Sequence, residues 1–195
     1  MSRRLAYGLA ALALIALVGW QASRWFGAGG PAGEAVVIGG PFSLTASDGR
    51  RVTDQDFRGR WMLIYFGFTF CPDVCPTELA VMAAALDALG DDGSDVQPIL
   101  ITLDPERDTV EVLRDYVAAF HPRLIGLTGT LAEIQAVAGA YRVFFQKTEP
   151  DAAGDYLVDH SSVVYLMDPD GDYVTVFGRD VDAVAMAEGL RHYVD

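Results

Sequence analysis

Two cysteines, the only two in the 195-residue chain, stand four positions apart in Gly67-Phe68-Thr69-Phe70-Cys71-Pro72-Asp73-Val74-Cys75-Pro76. Far downstream comes a histidine, His160, in Val158-Asp159-His160-Ser161-Ser162, just ahead of a strand-like run. Two thiolates at this spacing make a soft chelating pair, and one imidazole completes a three-ligand set suited to copper. The same pair can close into a redox disulfide. Even on a continuous helix the two Cα atoms would lie about 6 Å apart, within disulfide reach. Spacing therefore permits both chemistries and leaves the choice open. A purely structural staple is the weaker reading, because so short a loop removes little entropy from the unfolded chain.

The elements that must position these residues are legible around them. Trp61 to Phe68 is a near-continuous apolar run, as expected of a strand buried on both faces. Pro76 to Leu89 has helical spacing, with Leu79, Met82, Ala83 and Leu86 on one side. Proline biases the residue before it away from helical geometry and is itself suited to a first turn. Cys75 is thus expected at the helix N-cap, with Cys71 in the preceding loop, where the helix amides would favour a thiolate.

Phe42 to Thr45 and Arg51 to Thr53 flank Asp48-Gly49, a hairpin signal. Val96 to Leu103 reads as a second buried strand, and Val143 to Gln146, Ser162 to Met167 and Tyr173 to Phe177 as further ones. Asp108-Thr109-Val110-Glu111 and Thr130-Leu131-Ala132-Glu133 open helices to about Phe120 and Ala140, and Asp180 caps a last one to about Tyr193. Alternating strands and helices, then a closing hairpin and helix, predict an α/β fold with a mixed sheet. Their order resembles the thioredoxin fold with an added N-terminal β-hairpin.

His160 bears on the choice of chemistry. In a thioredoxin-type oxidoreductase a cis-proline precedes the strand facing the cysteines, but here the nearest prolines are Pro150 and Pro169. His121 and His192 have no chemical neighbour in sequence and are expected at the surface. Structural zinc would want a fourth protein ligand, for which no nearby Cys or His is available. Asp159 either orients His160 or sits in a solvated turn. Asp168-Pro169-Asp170-Gly171-Asp172 lacks the ligand pattern of a calcium loop and reads as a hairpin turn.

Arg3 and Arg4 precede a charge-free stretch from Leu5 to Ser23. As a helix these residues would span roughly 28 Å, about the thickness of the bilayer core. The paired arginines favour a cytoplasmic N-terminus, and Trp20, Trp25 and Phe26 sit where an interfacial belt would be. Residues 1–26 are read as an uncleaved anchor, the alternative being a cleaved signal peptide. Residues 27–40, rich in Gly and Ala, read as a tether. Residues 41–195 are enough for one domain.

Of the 14 Lys and Arg, three lie in the first 26 residues, while all 27 Asp and Glu lie beyond them; 11 basic residues therefore face 27 acidic ones. That balance argues against nucleic acid and anionic lipid as partners of the domain. It suits solubility, and equally a domain that meets basic proteins or gathers cations.

Phe66 to Pro76, together with Asp104-Pro105-Glu106-Arg107-Asp108-Thr109, Gly126-Leu127-Thr128-Gly129-Thr130 and Asp159-His160, resembles the Sco/SenC family of copper chaperones from about Ile38 onward. The resemblance implies a copper-binding thioredoxin fold anchored in the inner membrane, on the periplasmic or topologically equivalent intermembrane-space side. It implies Cys71, Cys75 and His160 as copper ligands and cytochrome c oxidase subunit II as recipient, with a thiol reductant and another copper donor as further partners. Many relatives carry a polar residue, often histidine, before the first cysteine; this chain has Phe70. The resemblance implies a metallochaperone rather than an enzyme, in a family where chaperone and thiol–disulfide reductase activities can coexist. The alternative is a thiol–disulfide oxidoreductase that reduces the copper-ligand cysteines of the recipient through a Cys71–Cys75 disulfide, and a peroxidase is a weaker third.

Overall fold

In the computed structural model, residues 16–18, 20–21 and 37–194 are described. The chain divides into two units, Met1–Val36 and Val37–Asp195. In the first, residues 16–18 and 20–21 are helical. The rest of the membrane span read at Leu5 to Ser23 lies outside the described residues, as do residues 27–36 of the tether. Among the described residues no helix is long and apolar enough to cross a membrane.

The second unit is built on a seven-stranded mixed sheet. Its strands are β1 (Ser43–Ala46), β2 (Arg51–Thr53), β3 (Trp61–Gly67), β4 (Val96–Thr102), β5 (Ile125–Thr128), β8 (Val164–Met167) and β9 (Tyr173–Phe177). The order across the sheet is β2-β1-β5-β4-β3-β8-β9. Strands β3, β4 and β5 run parallel, and β8 lies antiparallel to β3 on its other side. Two further strands, β6 (Phe145–Lys147) and β7 (Val158–His160), form a separate antiparallel ribbon.

Four helices cover the sheet: α1 (Val74–Leu89), α2 (Val110–Ala118), α3 (Leu131–Ala140) and α4 (Ala183–Val194). Every residue of β4 is buried, as are six of seven in β3. That is why these segments read as unbroken apolar runs rather than alternating ones. Leu79, Met82 and Leu86 of α1 pack with Met186 and Leu190 of α4 in the same core.

The hairpin of β1 and β2 turns at Asp48-Gly49 and is sewn to the main sheet through β1 and β5. Both β5 and β7 escape the sequence reading. Each is four residues or fewer; β5 takes its strand character from β1 and β4, distant in sequence, and β7 from the preceding strand β6.

Caps differ from expectation in three places. The N-cap of α1 is Asp73, so Cys75 is the second helical residue and not the cap. Pro76 still falls in the first turn, where the missing N–H costs nothing. Thr109, not Asp108, caps α2 by accepting from the Val112 amide. Asp182, not Asp180, accepts from the Ala185 amide at the start of α4. Thr130 and Glu133 form the expected capping box on α3.

Candidate metal centre

Buried strand β3 delivers the chain to the carboxyl edge of the sheet, where Phe68 to Asp73 form the loop into α1. Cys71, in this loop, is half-buried; Cys75, one turn further, is fully buried. Both thiols are free. The Cys75 amide donates to Cys71 Sγ at 3.4 Å, so a first-turn N–H that has no intrahelical acceptor faces the outer sulfur.

His160 ends β7 and reaches the same place from the other side. Its Nε2 lies 3.6 Å from Cys75 Sγ, and its Nδ1 lies 2.9 Å from the carbonyl oxygen of Ser161. A carbonyl only accepts, so Nδ1 carries the hydrogen and Nε2 presents its lone pair to the sulfur. The orienting partner is this backbone carbonyl, while Asp159 is exposed. Tyr65 and Phe68 meet the imidazole edge-on, with centroids 6.1 and 5.9 Å away, and fix its plane.

Burial is the dominant electrostatic influence. It pushes the Cys75 thiol up to about 12 and holds His160 below its ordinary value, in the neutral form that can act as a ligand. At Cys75, in the first turn of α1, desolvation outweighs the helix end, and the helix-start amide meets the Cys71 sulfur instead. A soft metal that replaces the thiol proton would remove this penalty.

Cys71 and His160 line one cleft of about 260 Å³ with Phe68, Asp73, Leu157 and Arg179. Cys75 does not line the cleft; it is buried behind the lining and meets it through the contact with His160. Among the described residues no three of His, Cys, Asp and Glu already form a closed cage. The cysteine–histidine pair is in place and Cys71 stands at the rim.

Two residues were not recognised from sequence. Asp108 is fully buried, and its carboxylate accepts from the Thr69 amide at 3.1 Å, the Thr69 hydroxyl at 2.5 Å and the Thr102 hydroxyl at 2.5 Å. It anchors the cysteine loop two residues before Cys71 to the end of β4. Glu78, also buried, follows Cys75 by one turn; burial raises its pKa, and one carboxylate oxygen has no hydrogen-bond partner among the described residues. A charged residue inside an otherwise apolar helical face was the available signal for Glu78. Of the remaining histidines, His192 is exposed as expected. His121 is not at the surface: it is buried, its Nδ1 accepts from the Arg123 amide, and its Nε2 lies 3.6 Å from Asp87.

A thioredoxin-like domain with two free cysteines where β3 meets α1, faced by a neutral imidazole, defines a class of thiol-and-metal proteins. The chain belongs to the SCO1/SenC family, whose model matches residues 31–195. It is 50% identical over 162 residues to "Protein SCO1 homolog 1, mitochondrial" of Arabidopsis thaliana, covering 83% of this chain and 48% of that protein. The chain thus spans about half the length of the curated relatives it matches. The crystal structure of Arabidopsis thaliana ScoI with copper bound superposes with a TM-score of 0.76 at 50% identity, covering 80% of this chain and 99% of that one. BsSco, described as having a disulfide switch and as a member of the Sco family of cytochrome c oxidase assembly proteins, matches with a TM-score of 0.67 at 26% identity, over 83% of this chain and 94% of its own.

Proposed function

We propose that this protein carries one copper ion on Cys71, Cys75 and His160 and passes it to the binuclear copper site of cytochrome c oxidase subunit II. The observation that carries the reading is the 3.6 Å approach of His160 Nε2 to the Cys75 sulfur, with Nδ1 occupied by the Ser161 carbonyl. Copper is cargo here. Cu(I) is satisfied by two thiolates, and Cu(II) gains from the added nitrogen, so one Cys₂His set can hold either state. Copper-bound relatives of the same fold support the reading. In the same proposal residues 1–26 anchor the chain in the inner membrane, residues 27–40 tether it, and residues 41–195 work on the periplasmic or intermembrane-space side. The relatives named as mitochondrial proteins support such a setting.

A second reading is favoured by the exposure of Cys71 relative to Cys75. A Cys71 thiolate would attack a disulfide between the recipient's copper-ligand cysteines and form a mixed disulfide. Cys75 would then resolve it, leaving the recipient a dithiol and this chain a Cys71–Cys75 disulfide. Two electrons and two protons pass to the recipient, and a thiol reductant restores the dithiol.

The test is titration of the reduced protein and of His160→Ala with Cu(I) and Cu(II). One copper per chain is expected in the parent, with a sulfur-to-copper charge-transfer band for Cu(II). The variant should lose that Cu(II) species while keeping two-thiolate Cu(I) binding. Equal Cu(II) affinity in the two proteins would remove His160 from the site.

A further inference from the structure

His160 and the cysteines stand on different sheets. Cys71 and Cys75 follow β3 of the large sheet, whereas His160 ends the β6–β7 ribbon, which shares no strand pairing with it. Whatever docks the ribbon against the cysteine loop therefore sets the sulfur-to-nitrogen distance. Near His160 the ribbon is held by the edge contacts of the imidazole and by the 3.2 Å hydrogen bond between Tyr65 Oη and Ser162 Oγ. Its outer half, from Lys147 to Leu157, needs another attachment.

That attachment is the segment after β4. The Tyr156 hydroxyl donates to Oδ1 of Asp104 at 2.8 Å, and Asp104 is fully buried. Lys147 Nζ lies 2.7 Å from Glu106 Oε2 and 4.0 Å from Asp104 Oδ1. Arg107 bonds through Nε to the other carboxylate oxygen of Asp104. Its guanidinium carbon lies 3.8 Å from the ring centroid of Tyr156, on the histidine ribbon, and 4.5 Å from that of Phe70, the residue before Cys71. One cation thus touches an aromatic ring from each half of the site. Phe70 is nearly half exposed, a place where a large apolar ring gains little from burial. The stacking on Arg107 gives the ring a task at this exposed position.

We propose that Arg107, fixed by Asp104, is a clamp that joins the cysteine loop through Phe70 to the histidine ribbon through Tyr156. It would position His160 against the cysteines, a role that rests on the copper reading above. Arg107, Phe70 and Tyr156 are positioning residues and touch no metal. The buried Asp104 charge makes the coupling mutual. Removing the Tyr156 hydroxyl leaves Oδ1 with only the 4.0 Å contact to Lys147, and an underpaired buried carboxylate pulls against the docked state. Removing the Phe70 ring frees the guanidinium from the loop without touching the Asp104 bond.

The experiment uses the full chain with Tyr156→Phe, Phe70→Ser and Phe70→Trp, the last keeping an aromatic face for Arg107. Amide hydrogen exchange across residues 145–160 is followed in the reduced, metal-free protein. Cu(II) and Cu(I) titrations follow, with nitrogen coupling in the Cu(II) electron paramagnetic resonance spectrum as the mark of His160. Tyr156→Phe and Phe70→Ser should each speed ribbon exchange by about tenfold and weaken Cu(II) binding by about the same factor. Cu(I), held by two thiolates, should change by less than about twofold, and Phe70→Trp should restore parent behaviour in every readout. Unchanged exchange in both losing variants would overturn the clamp. So would faster exchange with unchanged Cu(II) affinity and nitrogen coupling, or a Phe70→Trp protein as impaired as Phe70→Ser. If the parent protein takes up no Cu(II) at all, the copper reading fails, and the exchange comparison still decides whether the clamp exists.

Discussion

Cys75 owes its place to the absence of a side chain at Gly67. A Cβ built there would come within 2.7 Å of the Tyr65 ring and 3.0 Å of Cys75 Sγ, in the middle of a close-packed core. Glycine at the end of β3 is therefore a steric requirement of the site rather than a flexible joint. Gly67→Ala should cost about 1–3 kcal/mol, the range for overpacking a filled core. It should also displace the Cys75 sulfur or the Tyr65 ring that packs on His160. Urea denaturation reads the first effect and Cu(II) titration the second. An alanine variant with parent stability and parent Cu(II) affinity would show that the two rings and the sulfur move aside freely. Asp108 acts two residues further along, where its three accepted hydrogen bonds fix Thr69 relative to β4. The sequence around it shows a helix-start pattern, and a buried carboxylate one residue before the cap is indistinguishable from a cap until its partners, 39 residues upstream at Thr69, are known.

Among the elements, α3 is joined to the N-terminal hairpin by one carboxylate. Glu133 Oε2 accepts from the Thr130 amide at 2.7 Å and its Oε1 from Arg51 of β2 at 2.7 Å. The Arg51 hydrogen bond, followed by the Thr130 amide, holds the carboxyl down at about 2. A carboxyl lowered in the folded state stabilises above its unfolded value, near 4.5, and that contribution fades as the pH falls toward 2. Glu133→Gln should thus lower stability at pH 7 by no more than about 1 kcal/mol, since the pair is partly exposed and screened. The deficit should shrink steadily below pH 4.5; a deficit equal at pH 7 and pH 3 would assign the loss to packing instead. This capping box was readable because all its parts lie within four residues. The buried strands β3 and β4 and the Asp48-Gly49 hairpin were readable for the same reason: local composition carries the signal. Strands β5 and β7 were not, although Val143 to Gln146 did point to β6 of the His160 ribbon. The partners of β5 lie far along the chain, β7 is three residues with polar Asp159 and His160 among them, and the Arg107–Tyr156 contact joins segments about fifty residues apart. The sequence therefore named the three candidate ligands but not the second sheet that presents one of them.

At the scale of the whole molecule, the acidic domain places a buried sulfur, a rim sulfur and a neutral imidazole around one cleft, so the oxidation state of the cysteines decides what that cleft can do. In the dithiol form Cys75 is already in contact with His160, and a metal gains a thiolate by replacing a proton that burial otherwise retains. A Cys71–Cys75 disulfide removes both thiolates at once and leaves the imidazole as the one strong donor of the set. Single-imidazole sites bind copper far more weakly than chelating thiolates do, so the oxidised protein should take up copper poorly and show no sulfur-to-copper charge-transfer band. In the extracytoplasmic setting proposed above such a disulfide would persist until a dithiol reduced it, and loading would then depend on a reductant. The comparison is an anaerobic Cu(II) titration of the disulfide and dithiol forms of the same preparation, without added thiol. Cys71→Ser and Cys75→Ser serve as controls that lose one thiolate without closing the ring; each should retain less copper than the dithiol parent and fail to deliver it to the oxidase. Equal affinity in the disulfide and dithiol forms would show that copper sits away from the cysteines, and the chelate and its redox gate would fall together.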